Sequence, residues 1–544
     1  MTIIQTDTAP DRSGAGTRQV ALLALGLAAV AVAFKVLLLA QDAFPFNADE
    51  AVVALMARHV LAGEIPVFFY GQAYMGSMDA LLVAGAFRLV GESVAAIRSV
   101  QAVVYGATVA TAVLLAWRIF HRLWLAGAVG LLLAIPSVNT TLYTTVSLGG
   151  YGEALLFGNL LMLASWEARQ NPRRRGPYLA WGLLAGLGLW TFGLVLVFVA
   201  PTAVLLAVSL RRLTSAQALR RALMGLAAGM LGLLPWLIWT AVNGPAAALR
   251  ELAGSAIAGA SPAGLLSALA YRGLNLALFG TTVIAGVRPP WSVEWLSPWL
   301  LPLAVGFWLA VAGFTLAALR RRDPARAGRW MLAGVVATTL LGFVFTPFGA
   351  DPSGRYFLPL IVPLAVFAGE MISTVRDRYG VAWSGALLAG VLLFHLSAAI
   401  RVASATPPGF TTQFDAATRI DHSRDPELVR FLLEQGETRG YTNYWVAYPL
   451  AFRSREELLF VPELPYHADL RYTPRDNRYP PYAEAVAAAS RVAYITAGPG
   501  LLDARLRAGF RRLGIEWREA AVGDYHVFYD LSQPVRPQAL DLSP

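Results

Sequence analysis

The chain has 544 residues, 56% of them hydrophobic and 14% charged, with a mean hydropathy of +0.53, which excludes a soluble multidomain protein and indicates a polytopic membrane protein. Cysteine is absent, so disulfides and thiolate metal sites are excluded as well. The net charge of +10 does not point to nucleic acid, because the arginines gather in short loops between apolar segments, where they set topology.

In chain order, the polar leader MTIIQTDTAPDRSGAGTR, residues 1–18, runs into an apolar segment too long for a removable signal and suited to a span. Windows bounded by charge or by Pro and Gly give about eleven spans, near 19–40, 98–117, 123–143, 151–168, 178–191, 193–210, 218–240, 298–319, 330–348, 357–375 and 381–400. The loops holding Arg118 and Arg122, Arg169 to Arg175, Arg211 to Arg221, Arg320 to Arg329, and Arg376 and Arg378 all fall on one side of this map, together with Arg12 and Arg18. That side is expected to be cytoplasmic. The segment Met78 to Gly91 is too short for a span, and counting it as one would turn the arginine loops outward. Residues 41–98 therefore read as one external loop with two juxtamembrane helices, near Asp49 to Ala62 and Met78 to Val90. Asn243 to Ser297 forms a second external region that includes the turn VRPPWSVEW.

From about Arg401 the composition becomes that of a soluble domain. PELVRFLLEQG and LLDARLRAGFRRLG read as helices; RGYTNY, ELLFV, VAYITAG and HVFYDL read as strands. The predicted organisation is a leader at 1–18, a helical membrane domain at 19–400 and an α/β domain outside the membrane at 401–544.

Three places carry candidate chemistry. Asp49 and Glu50 open the first juxtamembrane helix. Acids there are explained by N-terminal capping, with Asn47 or Asp49 as cap; but the following loop carries Tyr70, Gln72, Tyr74 and Asp79, and a carboxylate facing such a cleft can take a proton from a substrate hydroxyl. Glu153, with Tyr143 and Tyr151 nearby, stands where the fourth span begins, as a cap or as a site residue. Arg355 and Tyr356 open a late span on the external side, where arginine is disfavoured and a phosphate partner suits a guanidinium. Lys35, near the outer end of the first span, is a further candidate phosphate contact, with snorkelling as the alternative. Arg58 and His59 read as the polar face of the first juxtamembrane helix. The chain has no GxxxxGK[ST] loop, HExxH, paired His/Cys metal spacing or GxSxG elbow.

FNADEAVVALMARHVLAGEIPV, then YGQAYMGSMDALLVAGAFRLVGESVAAIRSVQAVVYGATVATAVLLAWRIF, and finally GRYFLPLIVPLAVFAGE resemble the GT-C glycosyltransferases, in particular the bacterial branch related to the protein O-mannosyltransferases and the lipid A aminoarabinose transferase. The resemblance covers most of residues 20–400. It implies transfer of a sugar from a polyprenyl-phosphate carrier to a hydroxyl acceptor of unknown kind, a glycan, lipid or protein, at the outer membrane face. Asp49 would be the general base, with Glu50 beside it; Tyr70, Gln72, Tyr74, Asp79, Tyr151 and Glu153 would bind substrate; Arg355, Tyr356 and Lys35 would hold phosphate. No cofactor, metal or nucleic-acid partner is implied. The sequence departs from the family at AYMGSMDAL, where relatives carry a proline-rich element, at Gly149, which aligns with a usual acid, and at Phe192, where several relatives carry lysine. The aromatic run YTNYWVAYPLAF in the tail reads as domain core in preference to an acceptor contact. A transporter of lipid-linked sugars is the alternative reading.

Overall fold

In a computed structural model, described for residues 14–248, 264–467, 470, 472–498 and 500–542, the chain is largely helical. The first helix, α1 (Gly14–Leu39), packs on α4 (Val94–Phe120). Between them lie α2 (Ala48–Leu61), the strands β1 (Phe68–Phe69) and β2 (Gln72–Gly76), and α3 (Met78–Val90). Both helices predicted for this loop form where the sequence places them. The aromatic loop between them is a short antiparallel hairpin, which the sequence reading did not assign.

Among the described residues, seven helices are long and apolar enough to cross a membrane, or eight if a bent pair counts as one span. They include Gly16–Leu39, Val94–Phe120, Pro298–Ala318, Arg355–Tyr379 and Val381–Ser404. The bent pair, Ser215–Gly232 and Leu234–Asn243, turns by 65° just ahead of Pro235, whose ring cannot continue the hydrogen-bond ladder. The expected span 123–143 is interrupted: Leu123–Ala134 and Val138–Tyr143 are separate helices. Pro136 lies in the gap and disfavours helical backbone at the residue before it. Two further expected spans form shorter or more polar helices, Tyr151–Gln170 and Gly176–Thr191. The latter packs tightly on Ser215–Gly232 through glycines: a Cβ on Gly182 would meet the Gly225 carbonyl oxygen at 2.0 Å. Residues 1–13 of the leader and 249–263 of the second external region lie outside the described residues.

The tail forms a five-stranded sheet from β3 (Arg439–Thr442), β4 (Leu459–Pro462), β5 (Ala493–Ala497), β6 (Arg518–Val522) and β7 (Tyr525–Tyr529), in the order β4-β3-β5-β7-β6. Strand β3 runs parallel to β4 and β5, whereas β7 is antiparallel to β5 and β6. The predicted helices and strands are present, and β6 is the one the sequence reading lacked. Its mostly exposed positions give little alternation to read.

The sheet domain sits on the juxtamembrane helices. The tail helix Tyr444–Arg453 packs against α2. Arg58 and His59 of α2 both reach Glu456, at 3.2 and 2.9 Å, and Arg58 also pairs with Glu92 at 2.7 Å. The two residues expected on a solvated face therefore tie the tail to the membrane domain. Burial tends to raise the Glu456 carboxyl, but the hydrogen bonds from His59, Tyr482 and Arg58 outweigh it and bring it down to about 2.

Candidate active site

Asn47 is the N-cap of α2; its side-chain oxygen accepts from the Glu50 backbone N–H at 3.0 Å. Asp49 and Glu50 then occupy the first turn, where the helix dipole favours negative charge, but they point into different surroundings. Glu50 is fully buried. Arg98 grips it with Nε on Oε1 at 2.9 Å and Nη2 on Oε2 at 2.8 Å, and donates as well to the carbonyls of Phe44 and Pro45. Asp49 is half-buried, and its Oδ1 accepts a 2.5 Å hydrogen bond from the hydroxyl of Tyr444. Two adjacent carboxylates are thus divided between an ion pair inside the fold and a half-buried contact with the tail.

Tyr444 opens its helix behind the N-cap Asn443. The Arg478 guanidinium lies 5.3 Å from the Tyr444 ring centroid, and the two rings of Trp445 and Tyr448 pack edge-on to it. Arg478 is held from the other side by Gln72 of β2. With the amide oxygen turned toward it, Gln72 accepts from both terminal nitrogens at 2.5 and 2.7 Å, and its nitrogen donates to the Tyr74 hydroxyl at 3.1 Å. The loop carrying Arg478 is shaped by Tyr448, whose hydroxyl donates to the Asp476 carbonyl at 3.0 Å and accepts from the Arg478 backbone N–H at 2.6 Å.

Electrostatics in this cleft are strong. Burial works against the charge of Arg478, but Tyr444, Asp49 and Tyr74 hold its pKa above the ordinary arginine value. Burial, then the neighbouring Asp49 carboxylate, raises the Tyr444 phenol. Asp476, in the same loop, is pushed up to about 7, chiefly by burial; Arg478 and a hydrogen bond with Tyr466 oppose the shift, and Asp49 adds to it.

Beyond Tyr74 the seam continues into the membrane domain. Tyr74 is within electrostatic range of Tyr151 and Tyr356. The rings of Tyr151 and Tyr356 are 6.4 Å apart, and Arg355 lies 5.3 Å from the Tyr356 ring centroid. Asp351 already engages Arg355, accepting from Nε at 2.7 Å and Nη2 at 2.6 Å on one oxygen. Phe192 packs edge-on to Tyr151 and bridges Met75 of the hairpin.

The structure brings Asp49, Gln72, Tyr74, Tyr151, Arg355 and Tyr356 along one seam. Asp79 and Glu153 lie behind it, 1% and 3% exposed, joined by Gln101, whose amide nitrogen donates to both at 3.0 Å. Asp79 also accepts from Ser147 at 2.6 Å and from the Gly149 N–H at 3.0 Å. Burial raises the Asp79 carboxyl; those three bonds lower it, and nearby Glu50 adds to the rise. Gly149 has φ +83° at this turn, a conformation suited to glycine. Tyr70 belongs to the contact with the tail, bonding His59 at 2.7 Å and stacking on Tyr479 at 4.6 Å. Lys35 is buried, with its ammonium on the hydroxyls of Thr144 and Thr145 at 2.7 and 2.8 Å and over the Tyr105 ring. Among the described residues, no group of three His, Asp or Glu side chains is placed to hold a metal ion.

No family model matches the sequence, and no curated protein matches it. Solved structures do match the fold. ArnT from Cupriavidus metallidurans in the apo state superposes with a TM-score of 0.59 at 14% identity, covering 98% of this chain and 100% of that one. The same protein bound to undecaprenyl phosphate gives 0.57 at 13% identity, over 93% and 98% of the two chains. The chain has the GT-C fold. The apo oligosaccharyltransferase of Archaeoglobus fulgidus is more distant, with a TM-score of 0.48 at 13% identity, over 87% of this chain and 69% of that one. As a GT-C-fold membrane protein, the chain combines its helical bundle with a sheet domain seated on the juxtamembrane helices. Sequence reasoning missed Arg98, Asp351, Tyr444, Asp476 and Arg478. For Tyr444 a signal existed in the aromatic run, which is indeed mostly buried core apart from this one hydroxyl.

Proposed function

We propose that this chain is an inverting glycosyltransferase that moves a sugar from a polyprenyl-phosphate carrier to a hydroxyl acceptor at the outer membrane face. The observation that carries the reading is the division of the acid pair. Glu50 is consumed by Arg98, whereas Asp49 is half-buried in a polar seam that runs on to Arg355 and Tyr356. Undecaprenyl phosphate in the similarly folded ArnT supports a lipid-phosphate donor.

In this reading the acceptor O–H gives its proton to Asp49 while its oxygen forms a bond to the anomeric carbon. The bond from that carbon to the carrier phosphate breaks, and the phosphate leaves with the electron pair. Tyr444 occupies Oδ1, which leaves Oδ2 for the acceptor. Arg355 and Tyr356 lie along the seam as the charge-stabilising groups for the leaving phosphate. Asp351 orients Arg355, and Lys35 supports the Thr144–Thr145 turn from beneath. The seam's external side, with the arginine loops facing the cytoplasm, follows from charge asymmetry.

The test is transfer by the purified protein from a panel of polyprenyl-phosphate sugars to membrane acceptors, comparing wild type with Asp49→Asn. Transfer that is undiminished in the variant removes the base. Binding of the donors with no transfer from any of them favours a lipid-linked-sugar transporter.

A further inference from the structure

A cavity of about 750 Å³ lies where the segment Asp42 to Asn47, the linker from Thr406 to Ser423 and the sheet domain meet. It is distinct from the seam: Asp49, Tyr74 and Arg355 do not line it, although Asn47, the cap of α2, and Trp445, the neighbour of Tyr444, do. The linker is fixed as its wall, with the Phe410 N–H donating to the Ala43 carbonyl at 2.8 Å and its ring stacked on Phe44 at 4.6 Å.

Its positive charges are already engaged, and Asp42, Asp421 and Asp524 leave the wall without a positive excess. Arg98 pairs with Glu50, and Arg453 pairs with Asp425 at 2.9 Å. Arg419 donates to the carbonyls of Gln413 and Trp291, at 3.1 and 3.0 Å. Asp421 and Asp524 add acceptors to the wall. His422 is buried and held through Nδ1 against Asp425 at 3.0 Å, which leaves Nε2 as its ring nitrogen for a ligand. An anion site would need surplus positive charge, which is not present; the wall is mixed, with Phe44, Phe46, Trp445 and the prolines Pro45, Pro407 and Pro408 standing beside the polar groups. Apolar rings for the C–H faces of a sugar, beside fixed hydrogen-bond donors and acceptors for its hydroxyls, suit a neutral polyol. The volume falls within the usual range for small-ligand sites, roughly 300–1,000 Å³, and accommodates a short sugar chain.

We propose that this cavity is a saccharide-binding site that holds the sugar chain of the acceptor beside the helix carrying Asp49. The acceptor role rests on the glycosyltransferase reading; saccharide binding does not. Trp445 supplies the aromatic face, and Arg419, His422 and Asp524 supply polar contacts.

The full chain in nanodiscs, without donor, is titrated with mannotriose, maltotriose and N,N′-diacetylchitobiose and followed by saturation-transfer difference NMR. At least one saccharide is expected to bind, with affinity falling fivefold or more in Trp445→Ala and in Asp524→Ala, whose side chain is exposed at the β6–β7 turn. Asp49→Asn should bind as wild type does, so failure of the proposed base and failure of this site are separate results. Thermal unfolding of each variant identifies those that are folded, and Asp524→Ala decides the matter if Trp445→Ala is not. The proposal is overturned by absence of transfer to all three sugars, by binding unchanged in the folded variants, or by displacement of bound sugar by short-chain phosphatidylglycerol, which would mark a lipid-headgroup site.

Discussion

Glu50→Gln separates a structural acid from a chemical one. Glu50 is fully buried and both of its oxygens are bonded to Arg98, itself 6% exposed. Removing the negative partner leaves a buried guanidinium uncompensated, which costs about 3–5 kcal/mol; an amide oxygen still accepts one bond, so the lower end applies. Converting Glu50 and Arg98 together to methionine removes the stranded charge but orphans the carbonyls of Phe44 and Pro45, now served at 3.1 Å each. Each orphan costs about 1–3 kcal/mol if unrelieved. Two orphans bring the double variant to about 2–6 kcal/mol, comparable with Glu50→Gln, whereas adding the separate costs of Glu50→Gln and Arg98→Met would make it clearly worse. Thermal unfolding followed by tryptophan fluorescence measures the first quantity, and transfer per folded molecule the second. A double variant as stable as Glu50→Gln but inactive, at a temperature where it is fully folded, would refute the reading of Glu50 as only the structural partner of Arg98.

Tyr444→Phe retains the ring and removes the hydrogen bond to Asp49; bonds to charged groups contribute about 1.5–3 kcal/mol, so Tm should fall and kcat of the folded protein should drop by up to roughly tenfold to a hundredfold. Asp476 binds its proton more tightly in the folded chain than in the unfolded one, since burial brings it up to about 7. Its contribution to stability is present below pH 4 and lost as pH rises to 7; Asp476→Asn should abolish that part of the slope in Tm against pH. Glu456 has the opposite sign, brought down to about 2 by its partners. Its contribution is present above pH 4.5 and lost as pH falls towards 2, and Glu456→Gln should make the junction between α2 and the tail more open to hydrogen exchange at neutral pH, without altering exchange in the sheet.

The helical architecture was legible because apolar length marks the spans, and length alone keeps the 13-residue helix Met78–Val90 out of them. The same reasoning passed over Pro136, since a window of hydropathy does not register the backbone donor a proline lacks or the conformation it imposes on Ile135. The hairpin Phe68–Gly76 was hidden for a different reason. Its second strand is completed by packing against the Gly176–Thr191 helix and by a bridge from Met75 to Phe192, over a hundred residues away, so its local pattern has no period to detect.

At the site, what sequence could read was chemistry local to one helix turn, and what it could not read was which carboxylate faces which partner. Asp49 and Glu50 are adjacent, and helical geometry turns successive side chains by about 100°, so one neighbour can be inside the fold while the other faces a cleft. The direction is decided by Arg98, 48 residues on, and by Tyr444, 395 residues on. A hydroxyl at the start of an otherwise apolar tail helix carries no mark of its partner, because its burial in the domain and its bond to Asp49 require the same aromatic residue. The tail consequently belongs to the site in a physical sense. Tyr444 bonds Asp49 and Arg478 acts on it electrostatically, and both belong to the tail whose junction with α2 includes the Arg58 and His59 bonds to Glu456, so loosening that junction weakens the placement of two groups around the proposed base.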